Sequence, residues 1–329
     1  MQLLKHITAS LAGLLFICIS AHAADKVDKI VLAGPFASVS NPMIRMIESG
    51  ALADVASHVE FKVWQNPDQM RALALNGDTD FIATPTNVAA NLYNRGVDLK
   101  LLNVSVWGIL WMISREPDLE TLSDFKGKEI AIPFRGDMPD LIFSELAERQ
   151  GLNLKTDFQL RYVATPLDAM QLLIMRRVDH ALLAEPALSM ALRKTKSLPA
   201  KIIAPELYRS VDLQAEWGRV FNRESKVPQA GIALLNSQLP QHVVKRFIEE
   251  YAKATQWCID NPIEAGKLVA ARLPMLTPEA VADAISVSQF DAVSAVDARS
   301  ELTFFFNLLH QRTPALIGGK LPDNNFYYQ

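Results

Sequence analysis

The chain has 329 residues, half of them hydrophobic, with 14 glycines, 18 prolines and a formal charge of −3. That length and apolar share fit one large or two medium α/β domains and exclude a disordered, collagen-like or coiled-coil chain. The mildly acidic balance argues against nucleic-acid binding, which draws on clustered positive charge.

The N-terminal stretch, MQLLKHITASLAGLLFICISAHA, is a separate object. One lysine precedes an apolar run from Ile7 to Ser20, and small Ala21 and Ala23 suit signal peptidase. The run is shorter than the roughly 20 residues a membrane-spanning helix needs. A secretion signal over residues 1–23, cleaved after Ala23, is therefore expected, with a retained anchor as the alternative. Bulky Ile17 before Cys18 argues against a lipid attachment site. Cleavage would leave Cys258, which shares one helical face with Val244, Phe247, Ile248, Tyr251 and Ala254 and so reads as a core residue.

Residues 30–44, IVLAGPFASVSNPMI, run from an apolar strand through Pro-Phe and a short loop into a helix opened by proline. Proline suits the first helical turn because no N–H partner is lost there. Residues 130–142, IAIPFRGDMPDLI, repeat the pattern. The match continues: FKVWQNPDQMRALALNGDTDFIATP parallels LRYVATPLDAMQLLIMRRVDHALLAEP, each a strand, a helix opened by X-Pro, an Asp, a short strand and another X-Pro. Phe36 and Phe134 stand 98 residues apart; Pro67 and Pro166, and likewise Asp80 and Asp179, stand 99 apart. Ordered offsets of this kind predict two pseudo-equivalent lobes. Alternating strands and helices imply parallel strands with right-handed crossovers.

In such sheets a ligand lies beyond the carboxyl ends of the strands. That puts Phe36, Ser38, Ser40, Asn41, Trp64, Thr84, Thr86 and Asn87 of the first lobe at candidate ligand loops. Phe134, Arg135, Gly136, Asp137, Met138 and Glu185 take the corresponding places in the second. Converging helix N-termini make an anion site without any lysine, and Arg135 could grip a carboxylate or sulfonate with two prongs. Each candidate has a plainer role. Arg135 could be a solvated loop residue, Glu185 and the Ser, Thr and Asn side chains could cap helices, and the two phenylalanines could pack beneath the loops. Facing the cleft, Glu185 would instead pair with an amine or ring nitrogen.

The motifs DFKGKEIAIPFRGDMPDLI and TPLDAMQLLIMRRVDHALLAEPA, in this order and spacing, resemble the periplasmic substrate-binding proteins of ABC importers. Within these, the chain is similar to the nitrate, taurine, alkanesulfonate and thiamine-precursor (SsuA-like) group. The resemblance implies an α/β, type II periplasmic-binding-protein fold: two lobes of mostly parallel sheet flanked by helices, joined by two hinge strands around a central cleft. The lobes would be residues 24–115 plus 227–329, and 116–226. Helices opened by Pro240, Pro262 and Pro278, and a late helix over LTFFFNLL, would complete the first.

The function implied is an exported receptor for a small anionic, zwitterionic or nitrogen-heterocyclic solute. It would work in the periplasm as a monomer and dock to an ABC permease with its ATPase, with no cofactor, metal or nucleic acid. A protein that docks to a membrane sensor is the alternative. An enzyme is disfavoured because His58, His180, His242 and His310 are scattered without metal-ligand spacing, and no nucleophile elbow or P-loop occurs. A related group that makes the thiamine pyrimidine carries a cysteine-rich segment absent here.

Overall fold

The computed structural model describes residues 26–196 and 206–329. The expected signal over 1–23 lies outside the described residues. In the first lobe, β1 (Val27–Pro35) leads into a short 3-10 turn at Ser38–Ser40 and α1 (Asn41–Glu48). Then follow β2 (Ala56–Trp64), α2 (Pro67–Leu75), β3 (Phe81–Pro85), α3 (Thr86–Asn94), β4 (Lys100–Leu101) and β5 (Asn103–Gly108). The second lobe holds β6 (Leu110–Ser114), β7 (Glu129–Pro133), α4 (Met138–Arg149), β8 (Gln159–Val163) and α5 (Pro166–Ile174). It ends with β9 (His180–Ala184), α6 (Ala187–Lys196), β10 (Tyr208–Asp212) and α7 (Leu213–Phe221). The chain then returns as β11 (Ala230–Leu234), α8 (Gln241–Asp260), α9 (Pro262–Arg272), α10 (Pro278–Val287), β12 (Gln289–Ser294) and α11 (Arg299–Arg312).

Two sheets result, ordered β12-β5-β11-β3-β1-β2 (with β4 on β11) and β10-β6-β9-β7-β8. Each has a parallel trio, β3-β1-β2 in one and β9-β7-β8 in the other. In each, the next strand is antiparallel and arrives by crossing between lobes: β11 on β3, β6 on β9. The sheets are thus mixed. Pro35 faces Trp64 in register in the first trio and Pro133 faces Val163 in the second. The spacing read from the sequence is a structural duplication.

The outgoing crossing falls at Ile109, so residues 110–115 belong to the second lobe rather than the first. Residues 108–115 read as one apolar strand, and the break is made by two buried glutamines distant in sequence. Gln229 Oε1 accepts from Ile109 N (3.1 Å), while Gln214 takes both Leu110 N (2.9 Å) and Leu110 O (3.0 Å). These side chains satisfy backbone groups that leave one ladder before joining the next. A Cβ on Gly108 would stand 2.5 Å from Gln214 Cγ, so glycine leaves room for this clasp. The return crossing lies between Phe221 and Ala230.

The proline-opened helices form as expected, and the Thr277 hydroxyl caps α10 by accepting from Ala280 N at 3.3 Å. Cys258 lies buried on the inner face of α8, and burial pushes its thiol up to about 12. In α11, Phe305 and Phe306 are buried, Trp217 of α7 meets Phe304 and Phe305 edge-on, and Arg312 pairs with Glu145 and Glu148 of α4. This last helix therefore touches both lobes behind the crossings.

Candidate functional site

The carboxyl ends of β1, β2, β3 and β9 open onto a cavity of about 430 Å³ between the lobes. That is the size of a small-molecule pocket. Three contacts join the lobes around it. Arg71 Nη2 of α2 lies 2.8 Å from Oδ1 of Asp137, the residue just before α4. The Ser38 hydroxyl reaches the Glu185 carbonyl at 3.5 Å. On the outer rim, Arg193 of α6 holds both oxygens of Asp283 on α10, at 2.5 and 2.8 Å.

Of the candidates read from sequence, Phe36, Trp64 and Thr84 line the cavity from one lobe, and Phe134, Asp137, Met138 and Glu185 from the other. Trp64 donates its indole N–H to Ala83 O at 3.2 Å, which fixes the ring as a wall. The remaining candidates do not line it. Ser40 donates to Pro35 O (2.7 Å) and Thr86 to Pro228 O (2.6 Å), so both hydroxyls tie loops to the scaffold. Asn41 is buried at the start of α1, and buried Asn87 keeps an unpartnered Oδ1.

Arg135 and Gly136 are exposed, and the Arg135 guanidinium lies 4.8 Å over the Tyr162 ring. Left-handed residues flank Arg135, with φ 58° at Phe134 and 76° at Gly136. The cavity also takes Met70, Gln171, Gln229 and Met275. The first two lie a turn into their helices, beyond the strand ends. Gln229 precedes β11 and Met275 sits between α9 and α10, so only the folded chain brings them here.

The cavity is acidic on paper, with Asp137, Asp168 and Glu185 among its lining and no Lys, Arg or His among the described residues there. Two of these carboxylates have protein cations. Glu185 is wholly buried, with Oε1 2.6 Å from Arg209 Nη2 in a charge contact poorly aligned for a hydrogen bond. Its Oε2 accepts from Ser189 N at 3.1 Å. Arg209 in turn stacks 4.7 Å over Trp111. Burial pushes the Asp137 carboxyl above the usual carboxylate range, against the downward pull of Arg71. Asp168 is exposed to the cleft and takes the Thr165 hydroxyl at 2.7 Å. Among the described residues no group of three or more His, Cys, Asp or Glu could hold a metal ion, and no helix is long and apolar enough to cross a membrane.

This arrangement of two mixed α/β sheets, two crossings and a cavity between the lobes matches the fold of solved periplasmic binding proteins. No family model and no curated relative matches the sequence. Solved structures do. An ABC transporter protein from Parabacteroides distasonis matches at 24% identity and TM-score 0.74, over 93% of this chain and 99% of that one. The periplasmic aliphatic sulphonate-binding protein of Escherichia coli matches at 15% and 0.63, over 91% and 95%. The periplasmic nitrate-binding protein of Synechocystis PCC 6803 matches at 15% and 0.67, over 88% and 82%. At these identities the likeness is one of fold alone.

Proposed function

We propose that this chain is an exported, non-catalytic receptor that encloses a small solute between its lobes and hands it to an ABC permease in the inner membrane. The observation that carries this reading is the cavity itself, walled by both lobes, which Arg71 and Asp137 bridge. A clamp of this kind exposes its solute again only by opening at the crossings, as delivery to a partner requires. Supporting it, the matched structures include importer components over nearly their whole length.

A thermal-shift screen of sulfonates, amino sulfonates, nitrate, aromatic carboxylates and nitrogen heterocycles tests the reading. At least one solute should raise the melting temperature and reduce the radius of gyration, without being consumed. Sustained turnover of a hit, or binding with no compaction by any solute, would overturn it.

A further inference from the structure

The positive ends of four helices around the cavity carry acidic or capping groups of the chain itself, while those of α1 and α3 carry neither. At α2, Asn66 Oδ1 accepts from Gln69 N at 3.0 Å, with Asp68 in the first turn. At α4, Asp140 lies in the first turn and takes the Gly136 N–H at 2.8 Å. At α5, Thr165 accepts from Asp168 N at 3.1 Å, and the Asp168 carboxylate stands in the first turn. At α6, Glu185 takes the Ser189 N–H. Helix dipoles favour anions only where their amides and their charge are still to be satisfied. Here an acidic side chain stands at each of these four ends, and at α2, α5 and α6 a side chain also accepts from a first-turn amide.

The charges on the wall point the same way. Arg71 and Arg209 are committed to Asp137 and Glu185. Asp168 has no ion-pair partner among the described residues. An incoming anion would meet no Lys, Arg or His among the described residues of the lining, and would face Asp168, a carboxylate without an ion-pair partner there. The rest of the wall is largely apolar, with Phe36, Trp64 and Phe134 and with Met70, Met138 and Met275 between them, beside neutral polar residues such as Gln171 and Gln229. Phe36 and Phe134 are partly exposed. Ring faces and thioethers attract a flat aromatic, and the ring quadrupole favours one that carries positive charge.

We propose that the cavity takes a flat aromatic base that is cationic at neutral pH, such as an amidine or an aminopyridine, with its ring against Trp64 and the phenylalanines and its charged nitrogen toward Asp168. This rests on the receptor reading above and names the class of solute it takes. Gln171, one turn after Asp168 on α5, and Gln229 on the opposite wall offer neutral amides to further ring substituents.

Benzamidine, benzamide and benzoate share one ring and differ in charge, so calorimetric titration of the purified protein with the three isolates the electrostatic part. Benzamidine should bind about tenfold tighter than benzoate, with benzamide between them, as expected of a cation between ring faces and a carboxylate. In Asp168→Asn, which keeps an acceptor for the Thr165 hydroxyl, that gap should shrink to about threefold or less. A ligand-free melting temperature equal to that of the parent protein reports that the fold is intact.

Benzoate, ethanesulfonate or nitrate binding tighter than benzamidine would overturn the proposed class and leave the receptor reading standing. So would an Asp168→Asn gap as wide as that of the parent protein. Failure of all three ring probes to bind in the millimolar range would also overturn it. The receptor reading itself falls only if a hit is turned over or if no solute produces compaction.

Discussion

Arg71→Met should loosen closure without unfolding either lobe. Arg71 and Asp137 lie on opposite lobes, 2.8 Å apart, with side chains 37% and 13% exposed. A fully exposed pair contributes about 0.2–1 kcal/mol, whereas stranding a buried charge costs about 3–5 kcal/mol. Half-burial of one partner places this pair between those limits. Arg71 also lies 3.5 Å from exposed Asp68 on its own helix, an interaction it keeps when the lobes part. The part of the energy that depends on closure is therefore about 1 kcal/mol, or roughly a fivefold change in the closed-to-open ratio.

Small-angle scattering with saturating solute and calorimetric affinity both read this ratio. Arg71→Met should weaken binding of the strongest hit from the thermal screen about fivefold and leave the ligand-free melting temperature nearly unchanged. The double variant Arg71→Met/Asp137→Asn removes the stranded carboxylate and should recover most of the loss. Parent-like affinity and compaction in Arg71→Met would refute the latch, and so would strictly additive losses in the double variant.

Other consequences follow from packing and protonation. In Gly231→Ala, the new Cβ of β11 would stand 1.9 Å from the Asn103 carbonyl oxygen, a backbone atom that cannot swing aside. A loss of about 3 kcal/mol is expected in chemical denaturation, and a loss under about 0.5 kcal/mol would show that the strands separate freely. Buried His180 is held below its usual range chiefly by burial, against the pull of Glu116. The unfolded chain therefore takes up a proton before the folded one does. The corresponding stability is complete above about pH 6.5 and is lost as the pH falls from there through the depressed folded value. Comparing unfolding free energies at about pH 7.5 and 5.5, His180→Gln should show a shallower acid loss than the parent; an equal or steeper loss refutes this assignment.

Local chemistry along the chain was enough to place the strands, the proline-opened helices and the duplication. Pro42, Pro139, Pro166, Pro262 and Pro278 each open a helix because a residue without an N–H loses nothing in the first turn. The paired registers at Pro35 and Pro133 preserve the 98-residue spacing because the two lobes use one βα unit in one arrangement. Phe36, Trp64 and Phe134 stand at strand ends and line the cavity, although the sequence left the two phenylalanines open to packing beneath the loops.

Which charges the cleft retains was decided only by folding. Arg135 lies beside the cleft in sequence yet stacks on Tyr162, because left-handed residues on both sides set its direction. Arg209, far along the chain, is the cation that reaches Glu185. Likewise Gln214 and Gln229 set the crossing at Ile109 from more than a hundred residues away. A hydrophobic period or a turn residue acts on its neighbours and can be read locally. Neutralising a buried charge depends on which partner the tertiary fold delivers within hydrogen-bonding distance, and no local pattern encodes that.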